Sequence, residues 1–396
     1  MSPPPRPAGA PLRIAALAKQ IPLAESFQLE DGLLVRRGVD TEMNAYCRRA
    51  VAEGVTLARD SGGSCTVFTL GPPSAEDVLR EAVAWGADDG VHVCDPALAG
   101  SDTLATARAL AAALRRAGPF DLVLVGRNTL DGETGQVGPE LAELLGLPFA
   151  SGVLRLEDAG PFVRLELEND DGTQEVEVDL PAVLSVAERL CEPCKVGPEG
   201  RAAVDAARLA RLGAADLGPG PWGADGSPTV VGATRPMEHD RAGAVLDGPL
   251  PNQVEEAVRL LALRGALTPR AHRAAPPAPA PVTTGERSAA AGTPLAVVVE
   301  PGRPEVAREL LAAAARLGAE VGAAVHALAP AGTAAVDELG GAGADLVVEL
   351  AGSPSAEDAA AAVAAYVVAR RPWAVLAPST AFGREVAGRA AAATGS

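Results

Sequence analysis

The residues of this chain best suited to chemistry lie in Phe120-Asp121-Leu-Val-Leu-Val-Gly126-Arg-Asn-Thr-Leu-Asp131-Gly-Glu-Thr-Gly135-Gln-Val-Gly138. An apolar run stops at Gly126, a turn rich in glycine, hydroxyl and amide side chains follows, and a helix-like pattern opens near Gln136. That order sets backbone N–H groups and a helix N-terminus at the carboxyl edge of a parallel sheet, where partial positive charge gathers. Such a corner suits an anion, most often a phosphate. On pattern alone, an ordinary βα loop rich in turn formers accounts for the same residues equally well.

Other constellations are weaker. Cys191-Glu-Pro-Cys194 is a lone Cys-x-x-Cys with no second pair or neighbouring histidine to complete a zinc set, so packing outweighs a redox or metal role. His92, His239, His272 and His326 are scattered, and none stands in a nucleophile–base arrangement. Asp60-Ser-Gly-Gly-Ser-Cys65 looks superficially like a phosphate loop, yet it follows a helix pattern and precedes a strand pattern, so a helix C-terminal turn is expected. No Ser-His-Asp set, carboxylate pair or metal cluster emerges, and neither a catalytic residue nor a metal site is expected.

The elements that position the loop are legible from periodicity. Arg13–Lys19, Cys65–Leu70, Gly90–Val93 and Asp121–Val125 read as buried strands. Between them, Asn44–Arg59, Ala75–Trp85 and Asp102–Ala117 read as helices, with Ser74 and Ser101 at the starts of the second and third. Strands alternating with helices of this length imply βαβ units and a parallel sheet. Residues 151–188 instead alternate apolar and polar, as half-exposed antiparallel strands do, with a hairpin turn at Asn169–Thr173. The pattern loosens from Gly197 to Leu250, and Asn252–Arg264 is helical again.

An Ala/Pro-rich linker follows at 268–293, unable to build a core. Beyond it, strand-like Leu295–Glu300, helical Pro304–Leu317 and strand-like Val321–Leu328 begin a second α/β pattern. Gly343-Ala-Asp345 echoes Gly86-Ala-Asp88, and Trp373–Arg384 sits where Asp121–Gly132 sits in the first copy, so the chain carries a divergent internal repeat.

Composition bounds the function. A chain of 396 residues needs more than one core. Its 48% hydrophobic content is globular, while only 3% is aromatic, so Ala, Val, Leu and Gly carry the packing. A net charge of −17 argues against nonspecific binding to nucleic acid or anionic membrane. Five cysteines in so long a chain do not make a secreted disulfide scaffold, and neither a signal peptide nor a membrane span is seen. A cytoplasmic location is expected.

Residues from about 12 to 267 resemble the beta subunit of electron transfer flavoproteins. The resemblance is carried by Ala16-Leu-Ala-Lys19-Gln-Ile-Pro22, Met43-Asn44-Ala-Tyr-Cys47, Thr69-Leu-Gly-Pro72, Trp85–Asp88, Gly100–Ala107, Phe120–Gly138, Leu180–Leu184 and Leu190-Cys-Glu-Pro193. Residues 294–396 are similar to the N-terminal domain of the alpha subunit, through Pro378-Ser-Thr-Ala-Phe-Gly-Arg384. The resemblance implies an α/β chain of two doubly wound parallel-sheet domains of adenine-nucleotide-hydrolase-like type. It divides the chain into a disordered leader (1–11), a beta-like nucleotide-binding domain with an added antiparallel hairpin region (12–267), the linker (268–293) and an alpha N-terminal-like domain (294–396).

It further implies an electron carrier subunit rather than a catalyst, with AMP or FAD in the beta-like domain. Leu17 and Lys19 would end the first strand beside that nucleotide, Asn44 and Cys47 would line its adenosine side, and Leu70 would close it. Asp131, Gly132, Glu133, Thr134, Gln136 and Gly138 would wrap the phosphates, with Gly126, Gly135 and Val137 completing the loop. The redox FAD would belong to an alpha-type partner subunit or domain, the donor would be a dehydrogenase and the acceptor quinone-linked. Three family elements differ here: Asn44-Ala45 replaces Asn-Pro, Thr129-Leu-Asp131 replaces Ala-Ile-Asp, and Cys194–Gly200 stands where a Leu-Pro element docks acyl-CoA dehydrogenases. An adenine-nucleotide-binding regulatory module of the same fold, without a redox role, is the alternative.

Overall fold

The computed structural model describes residues 7, 9–23, 26, 28–30, 33–35, 38–169, 172–232, 243–267, 293–333 and 336–396. Residues 1–6 and 8 of the expected leader and 268–292 of the expected linker lie outside them. The chain runs through β1 (Arg13–Leu17), β2 (Gln20–Pro22), β3 (Leu29–Glu30), β4 (Leu33–Leu34), β5 (Thr41–Met43), α1 (Ala45–Ser61), β6 (Ser64–Leu70), α2 (Glu76–Trp85) and β7 (Asp89–Val93). It continues with α3 (Thr103–Ala117), β8 (Leu122–Gly126), α4 (Val137–Leu145), β9 (Phe149–Asp158), β10 (Phe162–Asn169), β11 (Gly172–Asp179) and β12 (Ala182–Val186). Then come α5 (Pro198–Ala202), β13 (Leu209–Leu212), α6 (Ala214–Leu217) and α7 (Leu250–Leu263). The last part comprises β14 (Leu295–Val298), α8 (Pro304–Val321), β15 (Val325–Pro330), α9 (Val336–Ala342), β16 (Leu346–Leu350), α10 (Ala356–Arg370), β17 (Ala374–Leu376) and α11 (Ala381–Thr394).

A nine-stranded sheet has the order β11-β10-β9-β12-β8-β1-β6-β7-β13, and a separate four-stranded sheet has the order β16-β15-β14-β17. From β9 to β13 the first sheet is parallel, and β10 is antiparallel to both β9 and β11. The second sheet is wholly parallel. The fold is therefore α/β and doubly wound, with an antiparallel extension on the first sheet.

Its central strands bury both faces, as continuous apolar runs must. Ile14, Ala16, Val67, Leu122 and Leu124 pack under α1 and α2 with Val51 and Leu79. Their alternates Ala15, Leu17, Phe68, Val123 and Val125 pack under α3 and α4 with Leu110 and Leu141. The second sheet repeats the division: Leu295 and Val297 meet Leu311 and Leu339 on one side, while Ala296 and Val298 meet Val363 and Val386 on the other.

Hydrogen bonding supports the internal repeat. The Asp88 carboxylate accepts from Cys65 N at 2.8 Å, and its own N–H donates to Cys65 O at 2.9 Å. The Asp345 carboxylate accepts from Val325 N at 2.9 Å, and its N–H donates to Val325 O at 2.8 Å. Each Gly-Ala-Asp thus ties the start of its strand to the neighbouring strand.

Several boundaries differ from the sequence reading. Asp102, not Ser101, caps α3, accepting from Ala105 N at 2.9 Å. Ser74 caps nothing; a 3-10 turn over Pro73–Ala75 leads into α2, and the Ser74 hydroxyl donates to Gln20 Oε1 at 2.9 Å. Gly62, at φ 69°, ends α1, so the Ser-Gly-Gly segment is the helix C-terminal turn expected. Gly322, at φ 71°, ends α8 at Val321 and delays the next strand to Val325. Strand β13 arises inside the stretch that reads as irregular, because four residues on a sheet edge leave too short a pattern.

Candidate functional site

Strand order reverses between β1 and β8. From β1 the chain moves outward to β6 and β7, then returns to place β8 on the other side of β1. Ligands of open α/β sheets sit in the crevice at such a switch point, outside the carboxyl ends of the strands. Three segments converge there: Ala18–Lys19 after β1, the β5–α1 corner at Asn44, and the loop 127–136 between β8 and α4.

Asn44 fastens them together. It is fully buried, and its N–H donates to Lys19 O at 2.9 Å. Its side-chain Nδ2 donates to Asn128 O at 2.8 Å and meets Cys47 Sγ at 3.4 Å, while Oδ1 accepts from Leu130 N at 3.3 Å. Lys19 Nζ reaches Asp131 Oδ1 at 2.9 Å and Thr129 Oγ1 at 3.4 Å, closing the loop from the strand side. Within the loop, Thr129 O accepts from Gly132 N (3.2 Å) and Glu133 N (2.7 Å), a tight turn that holds Glu133 at φ 49° and precedes Gly135 at φ 64°.

The next stretch is open. Among the described residues, no group accepts a hydrogen bond from the backbone N–H of Thr134, Gly135, Gln136, Val137 or Gly138. These donors lead into the first turn of α4, whose dipole adds positive potential. Asn128 Oδ1 is buried beside them with no partner among the described residues. A Cβ on Gly135 would sit 3.2 Å from that oxygen, so glycine keeps the turn narrow as well as permitting its φ.

The expected site residues divide by what they touch. Lys19, Asn44, Asp131, Gly132, Glu133, Thr134, Gly135, Gln136 and Val137 are brought together at the switch point. Gly126 and Gly138 serve close packing: a Cβ on Gly126 would lie 2.9 Å from Cys47 N, and one on Gly138 3.0 Å from the Phe149 ring. Leu17 belongs to the core under α3 and α4, with Leu70 partly buried against it. Cys47 is buried on the opposite face, where burial pushes its thiol up.

Thr103 and Glu140 are residues that sequence reasoning missed. The Thr103 hydroxyl stands 2.9 Å from Gln136 Oε1 and 3.1 Å from Glu140 Oε1, joining the N-terminal turns of α3 and α4. Their only sequence signal is an Asp-Thr helix start and an acid in a first turn. Glu140 is buried, which raises its carboxyl to about 7, and nearby Asp102 pushes the same way. An acid raised on folding loses native stability as pH climbs from its ordinary value through about 7, by up to about 3 kcal/mol. Glu140→Gln is therefore expected to stabilise the fold by about 1–3 kcal/mol at pH 8 and by almost nothing at pH 5. Urea unfolding at both pH values checks this; an equal effect at both would remove Glu140 as the titrating group.

The Cys-x-x-Cys is a packing element. All five cysteines are free thiols, and Cys191 and Cys194 are pushed up to about 12, by burial first and by the Glu53 and Glu81 carboxylates second. Cys194 Sγ lies 4.0 Å from Met43 Sδ, and buried Arg48, paired with Glu81, donates to Cys194 O at 3.0 Å. Among the described residues, no group of three metal-ligating side chains occurs. His92 Nε2 meets Gly71 O at 3.2 Å and His326 Nδ1 meets the Tyr366 hydroxyl at 2.7 Å, both in structural roles, while His239 and His272 lie outside the described residues. Nor is any described helix long and apolar enough to cross a membrane.

Residues 31–212 match the electron transfer flavoprotein domain. The electron transfer flavoprotein subunit beta of Thermoanaerobacterium thermosaccharolyticum is 34% identical over 255 residues, covering 63% of this chain and 98% of that protein. Protein FixA of Azorhizobium caulinodans is 36% identical over 237 residues, 56% of this chain and 83% of its own. The caffeyl-CoA reductase-Etf complex subunit CarD of Acetobacterium woodii is 35% identical over 187 residues, 46% of this chain and 71% of its own. With near-complete coverage of a beta subunit at this identity, the chain belongs to the electron transfer flavoprotein family.

Proposed function

We propose that the chain is an electron-carrier subunit whose beta-like part, residues 12–267, holds one adenine nucleotide, AMP or FAD, at the β1/β8 switch point. The observation that carries this reading is the run of backbone donors from Thr134 to Gly138, which have no acceptor among the described residues and open onto the start of α4. A pyrophosphate or monophosphate supplies the acceptors those amides lack. The turn at Gly135 keeps the loop narrow, and the unpartnered Asn128 Oδ1, an acceptor, would take a donor such as a ribose hydroxyl rather than the phosphate.

Residues 294–396 form the alpha N-terminal-like part in this reading. The redox flavin belongs to a partner domain, which takes electrons from a dehydrogenase and passes them to a quinone-linked acceptor. Flavin supplies the one- and two-electron chemistry, and protein groups position and tune it. This chain contributes a rigid sheet edge and a fixed anion, with Asn44 setting the shape of the loop.

Mass spectrometry of ligands released from the natively purified protein tests the assignment. One adenine nucleotide per chain is expected, with a flavin-bearing polypeptide accompanying it. A nucleotide-free chain that also fails to bind AMP at millimolar concentration would overturn the reading. Stoichiometric yellow flavin in the chain alone would identify FAD as the nucleotide in the loop.

A further inference from the structure

Where α3 and α4 begin, three side chains meet with one hydrogen too few for a charged Glu140. Thr103 Oγ1 stands 2.9 Å from Gln136 Oε1 and 3.1 Å from Glu140 Oε1, so two acceptor oxygens face one hydroxyl. A hydroxyl has a single hydrogen to donate. With Glu140 ionised, one of the two contacts sets oxygen against oxygen with nothing between them. With a proton on Glu140 both are satisfied: Glu140 donates to Thr103 Oγ1, and Thr103 donates to Gln136 Oε1. The observed arrangement is the one that a protonated Glu140 makes.

The surroundings favour that state. Glu140 is buried, and its Oε2 has no partner among the described residues. An ionised carboxylate with a bare buried oxygen costs far more than a neutral acid in the same place. From α3, Asp102 faces it as an anion held by Ala105 N, Thr229 N and Thr229 Oγ1. Arg108 faces it as a cation, with Nη1 engaged by Gly226 O at 3.0 Å. From α11 come Arg384, held by Ser379 Oγ at 3.2 Å, and Arg389, paired with Glu385 and with Glu143 of α4 itself. The loop before α4 brings Glu133 and Asp131, the latter paired with Lys19. β12 has no titratable residue, and the charged residues of β9, Arg155, Glu157 and Asp158, lie in the part paired with β10.

Gln136 carries the state of Glu140 to the loop. It belongs to the open run of amides before α4, and its Nε2 has no acceptor among the described residues. Fastening the side-chain oxygen to Thr103 leaves both hydrogens of that nitrogen for another acceptor. When Glu140 loses its proton, the Thr103 hydroxyl donates to the carboxylate instead. Gln136 then keeps its bond to Thr103 only by turning over, with Nε2 inward and Oε1 outward. An acceptor oxygen now stands where two donors stood. Burial, which raises the Glu140 carboxyl to about 7, places this exchange in the neutral range.

We infer that Glu140 is a proton-coupled positioning residue of the nucleotide site. Protonated, it works through Thr103 to offer the Gln136 side-chain N–H groups to a phosphate; ionised, it offers the Gln136 oxygen. The nucleotide therefore binds together with a proton, which Glu140 takes from solvent. The identity of the ligand rests on the functional reading above, whereas the relay rests on the three side chains alone. Linkage is reciprocal, so a bound phosphate holds the proton on Glu140 as firmly as that proton favours the phosphate.

Calorimetric titration of the full chain with AMP between pH 6 and pH 8.5 tests this. The phosphate of AMP also titrates near the acid end of this range, so parent and Glu140→Gln are compared with the same ligand and their difference reports on Glu140. Across the range the parent is expected to lose about fivefold or more in affinity relative to Glu140→Gln, whose amide donates to Thr103 without changing charge. Thr103→Val should follow the Glu140→Gln profile, and Thr103→Ser, which keeps the hydroxyl, should follow the parent. Parallel profiles for parent and Glu140→Gln would overturn the inference and leave the nucleotide site standing. A Thr103→Val protein with the parent profile would mean a charge felt through space, and would overturn the relay. A parent that binds no AMP at any pH removes the functional reading itself, and the coupling with it.

Discussion

Asn44→Ala is expected to weaken AMP binding by at least about tenfold and to lower folding stability by about 1–3 kcal/mol. The side chain is fully buried and joins the β5–α1 corner to Asn128 O and Leu130 N of the loop. Truncation takes the partners from Asn128 O and Leu130 N, both in part-buried bonds, and each lost bond costs about 0.5–1.5 kcal/mol. The loop then opens where its amides must stay aligned, so affinity falls through lost preorganisation. Lys19→Met is the contrasting case. The lysine side chain is partly exposed but the Asp131 side chain it meets is fully buried, so the variant takes a cation from a buried carboxylate. Stability is expected to fall by about 1–3 kcal/mol through lost charge pairing, with the clasp itself intact. Calorimetric titration with AMP and urea unfolding of both variants check the pair. An Asn44→Ala protein that binds AMP as tightly as its parent would show that the loop holds its shape without the clasp.

The contrast between these two residues marks how far a sequence reaches. The βα alternation around the loop is legible because periodicity is local: Leu122–Gly126 and Val137–Leu145 announce themselves within their own residues. The glycine turn and the helix start are local too, so the anion corner is visible in outline. Asn44 lies 84 positions before Asn128, and nothing in either neighbourhood says that one closes on the other. Only the resemblance assigns Asn44 to the site, and it does so on the adenosine side, whereas the structure commits the side chain to the loop. Thr103 and Glu140 meet for the same tertiary reason. The choice of Asp102 over Ser101 as cap is a competition between adjacent good cappers, decided by which one the chain leaves in extended conformation before the first turn. The internal repeat is recognisable in Gly-Ala-Asp at both places, because that aspartate makes the same pair of backbone bonds each time.

The second sheet is held to the first by a residue that no local pattern reveals. Arg389 of α11 has a side chain only 2% exposed, and it donates to Glu385 Oε1 (3.1 Å), Glu143 Oε2 (3.3 Å) and Leu147 O (3.3 Å). The last two acceptors belong to α4 and the turn that ends it, so one guanidinium bridges the two units. Beside it a Cβ on Gly388 would stand 2.9 Å from Pro139 Cγ, and the two helix backbones are correspondingly close. Burial raises Glu385 to about 7, although Arg389 opposes that shift. Arg389→Met keeps the bulk and removes the charge, which leaves Glu385 buried without its cation. Breaking a buried pair from one side costs about 3–5 kcal/mol. The pH sign follows from Glu385. Without the guanidinium its carboxyl rises further above 7, so the native state carries a proton that the unfolded state has released at neutral pH, and stability falls as pH rises. The full loss is therefore expected at pH 8, with a smaller one at pH 5.5, where Glu385 is protonated and needs no cation. Arg389→Met combined with Glu385→Gln should recover most of the stability at pH 8, a positive coupling of about 2 kcal/mol in a double-mutant cycle. Urea unfolding of the three variants at both pH values decides the matter. Additive losses, or a loss indifferent to pH, would mean that α11 is held to α4 by packing at Gly388 and Pro139 rather than by the buried charge.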